Sequence, residues 1–360
     1  MLSLIIPSNN RPRFLRRAVI YWSKQNFNVI ICDGSDESQH EWMEANAGEN
    51  IKYIYSKTAL PNRLKLASRA LKTKYCSFIP DDEFFVPSAL HECVSFLDLN
   101  PDYVATCGVA ASFCFKDAQV MGCPKYTNWI GRELSSDSPK ERVFEHMSSY
   151  ANNLTISVVR SNLWKYVAEL YSSRDFPIYA LFELQMNTIL AYAGKSKVLG
   201  TLMYLRSKDE CEPIRNNIPS LNFKNTLYSF WNDKNRVSLK QEFLSFMADA
   251  IKEIPGTSFD SCDEMEIAEG AFDSYCFSIN RRSSMHGKLV DAVKRCIPKF
   301  IINYIKSFSK KNFAFKPMLA YLHDLSESGI TVQCEEVKLI CDDIQRFYDD
   351  SYSLPCKDDV

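Results

Sequence analysis

The chain has 360 residues, 46% of them hydrophobic, enough for one large domain with a sizeable extension or for two domains. Its 43 basic and 44 acidic residues leave a formal net charge of -1, which argues against nucleic-acid binding by bulk charge. An aromatic content of 13% with only 11 glycines excludes a low-complexity chain and describes a packed globular protein.

Over the first 115 residues, strand and helix signals alternate, the pattern of a parallel sheet with crossover helices. Leu2 to Pro7 is a short apolar run, as expected of a strand buried on both faces. Pro12 can open a helix, and Phe14, Leu15, Ala18, Val19 and Trp22 follow at helical spacing. Asn28 to Cys32 reads as a second strand, stopped by Asp33-Gly34-Ser35, and Ile51 to Tyr55 as a third. A helix is expected over Pro61 to Leu71, with Leu64, Ala67 and Leu71 on one face. Tyr75 to Ile79 is the fourth strand and ends in Pro80-Asp81-Asp82-Glu83. A helix over Ser88 to Leu97 and a long strand or hairpin over Tyr103 to Phe115 complete this part. Cys123 to Pro139, with Trp129, reads as a polar loop over a binding surface. Beyond it come a strand at Thr155 to Arg160, helices at Asn162 to Tyr171 and Tyr179 to Tyr192, and a strand at Lys197 to Leu205. From about Asn222 the pattern turns helical, which places a boundary near residue 215: an α/β domain over 1–215 and a mainly helical region over 216–360.

The 13 cysteines are odd in number and include no C-x-x-C pair, and Cys32, Cys76, Cys107 and Cys114 lie in apolar runs where a thiol behaves as a small core residue. Met1 leads directly into a strand with no signal peptide, so a reducing, cytosolic compartment is expected. No stretch approaches the roughly 20 apolar residues of a membrane-spanning helix.

Ligands of parallel α/β sheets bind beyond the carboxyl ends of the strands. Three polar clusters fall there: Pro7 to Arg11, Asp33 to Asp36, and Asp81-Asp82-Glu83. Three adjacent acids repel one another unless a cation or hydrogen-bond donors compensate them. A divalent ion bridging to a diphosphate does so economically, because hard oxygen ligands suit Mg2+ or Mn2+. The alternative is a helix amino terminus dressed with acids, and of the three Glu83 is expected to serve only the following turn.

The succession Leu4-Ile5-Ile6-Pro7-Ser8-Asn9-Asn10-Arg11-Pro12, Val29-Ile30-Ile31-Cys32-Asp33-Gly34-Ser35 and Phe78-Ile79-Pro80-Asp81-Asp82 resembles inverting GT-A glycosyltransferases of the family-two group over residues 1–210. The resemblance implies a GT-A fold, a Rossmann-like, mostly parallel sheet sandwiched by helices, and a nucleotide-sugar donor. It implies that Pro7 and Ser8 line the nucleotide pocket, that Asp33 bonds the base, that Asp81 faces the ribose, and that Asp82 ligates Mn2+ or Mg2+ on the diphosphate. Asn62 or Arg63 stands where the family often places a further nucleotide contact. The family also places a catalytic carboxylate about a hundred residues on, and Glu183, a lone acid in an apolar helix, stands at that separation with Asp175 in reserve. Burial there suits a general base, while an acid on an exposed helix face is the alternative. None of the five histidines occupies the window of the family's further metal or diphosphate ligand, whereas Arg206, Lys208 and Arg215 do. The acceptor motif of processive synthases is absent, which implies transfer of a single sugar to a glycan or lipid-linked acceptor. The family's common employment further implies bacterial surface polysaccharide synthesis.

Residues 288–311 carry an apolar side with Leu289, Val293, Ile297 and Phe300 beside Lys294, Arg295 and Lys299. That pattern describes either a peripheral contact with the inner face of an anionic membrane or a core helix with a solvated basic face. A nucleotidyltransferase would use the same acid pair but needs a glycine-rich phosphate loop, and Ser8 to Pro12 has no glycine. A degenerate, glycosyltransferase-like binding module is the remaining alternative.

Overall fold

Successive strand residues point to opposite faces of a sheet, and both faces of this one are covered. Leu4, Ile6, Val29 and Ile31 enter one apolar cluster, whereas Ile5, Ile30 and Cys32 enter a second on the other side. The computed structural model describes residues 2–174, 176, 180–208, 223–257, 263–278 and 315–349.

In chain order the first elements are β1 (Leu2–Ser8), α1 (Pro12–Trp22), β2 (Asn28–Asp33), α2 (His40–Asn46), β3 (Ile51–Tyr55), α3 (Leu60–Ala70) and β4 (Tyr75–Phe78). All but α2 are expected from sequence, and α2 buries only Met43, too small a stripe to register as helical periodicity. There follow β5 (Phe84–Phe85), α4 (Pro87–Leu99), β6 (Tyr103–Lys116), β7 (Gln119–Lys125) and β8 (Glu133–Leu134). The expected polar loop is therefore corrected: β7 pairs antiparallel with β6, and Trp129 is fully buried, stacked on Tyr126. Next come α5 (Pro139–Ser148), α6 (Asn153–Ile156), β9 (Val158–Arg160), α7 (Ser161–Ser173), α8 (Ala180–Ala193) and β10 (Lys195–Ser207). The start of the expected strand at Thr155 is helical, because the short α6 precedes β9.

Strands β1, β2, β3 and β4 run parallel, β6 and β10 are parallel to each other, and β9 joins β4 to β6 as an antiparallel strand. Two antiparallel steps restore direction, so the carboxyl ends of β1, β2, β4, β6 and β10 share one edge. Helices α1, α2 and α4 cover one face and α3, α7 and α8 the other.

The helical content expected beyond residue 216 is present but divided. Helices α9 (Phe223–Asn232), α10 (Val237–Lys252) and α11 (264–278) add Phe230, Trp231, Phe243 and Phe272 to the cluster around α8. A two-residue strand β11 (Lys316–Pro317) pairs with β7, and α12 (Met318–Glu327) and α13 (Cys334–Tyr348) join the opposite cluster through Leu322, Ile340 and Ile344. The boundary near residue 215 and the basic 288–311 segment lie outside the described residues. Among the described residues no helix is long and apolar enough to cross a membrane.

Candidate active site

The register of β1 on β2 sets Ser8 beside Asp33 at the carboxyl edge. The chain leaves β1 through Asn10, whose φ of 55° suits asparagine, and the loop closes by hydrogen bonds from Asn10 N to Ser35 Oγ (2.8 Å) and from Asp36 N to Asn10 Oδ1 (2.9 Å). Pro7 is half-buried at this edge. Asp33 is fully buried: Oδ1 accepts from Ser35 N (2.9 Å) and Ser35 Oγ (2.5 Å), and Oδ2 from Tyr53 OH (2.6 Å). Arg63 is buried too, donating to the carbonyls of Ser8 (2.6 Å), Cys32 (3.0 Å) and Thr58 (3.1 Å). Gly34 makes room for this side chain, since a Cβ would lie 2.4 Å from the Arg63 guanidinium carbon. Arg63 therefore ties the strand ends together, while its neighbour Asn62 is exposed.

Asp81 and Asp82 follow β4. Asp81 accepts from Ser8 Oγ (2.7 Å) and Arg11 (2.7 Å), and the other arm of Arg11 reaches Asp82 Oδ2 (2.8 Å). Burial pushes the Asp81 carboxyl up to about 6, more than Arg11 and Ser8 hold it down, with Asp82 adding to the rise. Beneath them Arg17, only 1% exposed, donates to the Asp82 carbonyl (2.7 Å) and packs its guanidinium over the rings of Phe14, Phe84 and Phe347. Its Nε and Nη1 have no hydrogen-bond partner among the described residues, and burial lowers its pKa.

Glu83 was expected to serve only the following turn. Instead it is buried, accepts from Tyr204 OH, and pairs with Arg206 at 3.6 Å. Burial raises its pKa well above the carboxylate range, with Asp82 adding and Arg206 opposing. Arg206 also donates to Tyr126 OH. Lys125, beside Arg206 and the exposed Lys208, has its pKa lowered by burial first and then by these two cations. Three positive side chains thus gather at the end of β10. Arg215 lies outside the described residues.

Glu183 stands near the start of α8 and accepts from Tyr150 OH. Burial raises its pKa, while Tyr150 and Arg206 lower it. It lines a cavity of about 440 Å³ with Asn62, Phe78, Trp164, Phe182 and Met186. This setting is the part-buried one rather than the exposed helix face. Asn187, one turn on, donates to the Glu183 carbonyl (2.7 Å) and lies 3.0 Å from His146 Nε2. Arg132 can only donate to His146 Nδ1 (3.2 Å), so the Nε2–H faces Asn187 Oδ1. Burial, then Arg132, lowers the His146 pKa to about 3, leaving a neutral ring that braces α8. The reserve candidate Asp175 lies outside the described residues.

Carboxylate oxygens fit a hard divalent ion, and among the described residues no hydrogen bond reaches Asp82 Oδ1. The described residues build no cage there, however. Among the described residues the one convergent trio of metal-capable side chains is the exposed His323, Asp324 and Glu327 on α12. Among the described residues the acid motif thus leaves Asp82 Oδ1 as its unbonded carboxylate oxygen. Ser8, Asp81, Asp82, Glu83 and Arg206 form one connected group through these contacts, and the Arg206 charge also reaches Glu183. Arg11, Arg17, Lys125 and Tyr150 were not assigned roles from sequence. The one signal for Arg17 is a charge set within the buried stripe of α1, beside Phe14, Ala18 and Tyr21.

Residues 3–134 match the family described as Glycosyl transferase family 2. Among solved structures the chain is similar to S. aureus TarS 1-349, at 14% identity and a TM-score of 0.42 over 79% of this chain and 91% of that one. It is similar to TarS 1-349 in complex with UDP-GlcNAc at 15% identity and a TM-score of 0.45, and to the complex with UDP at 13% and 0.42, with the same coverage. No curated protein matches the chain in sequence.

Proposed function

We propose that this chain, a glycosyltransferase whose residues 3–134 form a family 2 domain, moves a single sugar with inversion from a nucleotide-sugar donor to a hydroxyl of a glycan or lipid-linked acceptor. The observation that supports the reading is that one cation, Arg206, acts both on the acid motif through Glu83 and on the part-buried Glu183.

In this reading the nucleotide lies over the ends of β1 and β2, bordered by Pro7, Ser8 and Asp33 and reached by Asn62. Arg63 supports that floor through the Ser8 and Cys32 carbonyls. Asp81 faces the ribose, and Asp82 holds a Mn2+ or Mg2+ ion, which when bound offsets charge on the departing diphosphate. Arg206 and Lys208 supply further positive charge at the same edge. Glu183, kept basic by burial and aimed by Tyr150, takes the acceptor proton during in-line attack at the anomeric carbon. A cytoplasmic enzyme at the inner face of the membrane, building bacterial surface polysaccharide, is the setting proposed, by analogy with the family's common employment.

Two variants test this. Asp82→Ala is expected to abolish metal-dependent donor turnover, and wild-type turnover in that variant would sink the assignment. Glu183→Gln is expected to abolish transfer while donor binding, followed by calorimetry, stays near wild type. If transfer survives, the base lies elsewhere.

A further inference from the structure

Tyr150, whose hydroxyl donates to Glu183 Oε1, stands in the short loop between α5 and α6 and is half-buried. A half-buried ring gives up its rotamer freedom only to what packs against it. Among the described residues two rings do so, both edge-on. His146, one turn earlier on α5, lies 5.5 Å away at 68°, and Tyr275 lies 5.0 Å away at 87°. His146 belongs to the helix that leads into the loop, whereas Tyr275 arrives on α11, from the helical region beyond residue 222.

Tyr275 is itself well seated. It is 2% exposed and belongs to the apolar cluster that holds Leu184 of α8, Phe243 of α10 and Phe272 of α11. Its ring therefore meets Tyr150 from a packed helix rather than from a loop. Burial first, then the Glu183 charge, raises the pKa of both tyrosines, so both hydroxyls stay protonated through neutrality. The other titratable groups whose charges bear on Glu183 are Arg206 and Tyr126, and Tyr171 of α7 donates to the adjoining Phe182 carbonyl (2.6 Å). None of the described residues beyond 222 lines the cavity that Glu183 faces, so the contact of α11 with this site runs through Tyr150.

We propose that Tyr275 is a positioning residue for the transfer reaction: its ring, carried in by α11, holds the Tyr150 ring at the angle from which the hydroxyl donates to Glu183. The helical region thereby enters the chemistry without touching substrate. With the Tyr275 ring removed, Tyr150 gains freedom and bonds the carboxylate only part of the time. Glu183 then loses part of the donation that lowers its pKa, and its aim at the acceptor hydroxyl degrades. The inference rests on Glu183 being the general base, and the experiment keeps the two apart.

The Glu183 carboxyl is titrated in the full chain, without donor or acceptor, by infrared absorption, its band being the one missing from Glu183→Gln. The midpoint is expected to rise in Tyr150→Phe, and in Tyr275→Leu by about half a pH unit or more. Tyr275→Met, whose unbranched chain fills irregular gaps, reads the same quantity should circular dichroism show Tyr275→Leu unfolded. Tyr275→Phe keeps the ring and is expected to leave the midpoint in place. So is Phe272→Leu, which trims the same helix where it packs on Trp231 and Phe243. The Tyr275→Leu/Tyr150→Phe double variant is expected to match Tyr150→Phe alone, because Tyr275 acts through Tyr150. A midpoint unmoved in the folded Tyr275 truncations, or in Tyr150→Phe, overturns the positioning role. A Tyr275→Leu shift that persists in the Tyr150→Phe background, or is matched by Tyr275→Phe, overturns it too. Neither result touches the base assignment, which falls only if Glu183→Gln retains transfer.

Discussion

Asp81 makes the acid motif sensitive to pH between the ordinary carboxylate range and neutrality. Its pKa in the folded chain is pushed to about 6 from an ordinary 3.8, so the folded state binds its proton more tightly than the unfolded state does. The stability this contributes is fully present below pH 3.8 and is lost as pH rises through about 6. Roughly two units correspond to about 3 kcal/mol. Asp81→Asn does not titrate, so its melting temperature relative to wild type is expected to rise between pH 4 and pH 7 and then level off. A difference independent of pH would show that Arg11 and Ser8 hold the carboxylate ionised throughout. Glu183 gives a second reading of the same kind. Tyr150, Arg206, Tyr126 and Tyr275 carry the titratable or charged groups facing it, and Tyr150 donates directly. Tyr150→Phe removes a donor that lowers the Glu183 pKa, so the acid limb of kcat/KM is expected to move to higher pH, with donor KM nearly unchanged. A lower rate with an unmoved limb would make Tyr150 a packing residue only.

Elements were legible in proportion to how much of their stabilisation is local. The strands β1 to β4 announce themselves because burial on both faces needs near-continuous apolar runs. The helices α1, α3 and α7 announce themselves by stripe, α1 and α3 also by a proline in the first turn, and α8 by its long apolar run. The carboxyl-edge clusters were readable for the same reason, since position after a strand fixes position at the edge. What stayed hidden is non-local. Trp129 looked like a binding-loop aromatic because nothing near it in sequence shows that Tyr204 stacks alongside it. Glu83 looked like turn dressing because its partners Tyr204 and Arg206 lie over a hundred residues away. The compensation of the acids by Arg11 was hidden likewise, although Arg11 stood in the first cluster, because spacing says nothing about which carboxylate a long side chain reaches.

At the scale of the whole molecule, the end of the described chain returns to its beginning. Helix α13 lays Ile340, Ile344 and Phe347 into the cluster that holds Leu4 and Leu15, or onto its edge at Phe14. Its Glu336 also accepts from Ser88 N (3.0 Å) and Ser88 Oγ (2.8 Å) at the start of α4. Phe347 has a second contact of consequence: its ring lies 4.6 Å from the Arg17 guanidinium, which in turn holds the Asp82 carbonyl. Two truncations in one helix therefore separate stability from function. Ile340→Ala removes a fully buried side chain and is expected to cost about 2–5 kcal/mol in denaturant unfolding. Phe347→Ala is expected to cost a similar amount, about 3–5 kcal/mol. Only Phe347→Ala uncovers Arg17, admitting water to its unbonded nitrogens and loosening its grip beneath Asp82. Binding of a Mn2+–nucleoside diphosphate complex, measured by calorimetry well below both unfolding transitions, is expected to weaken several-fold in Phe347→Ala and to hold in Ile340→Ala. Equal affinities in the two variants would mean that α13 stabilises the sheet without reaching the site.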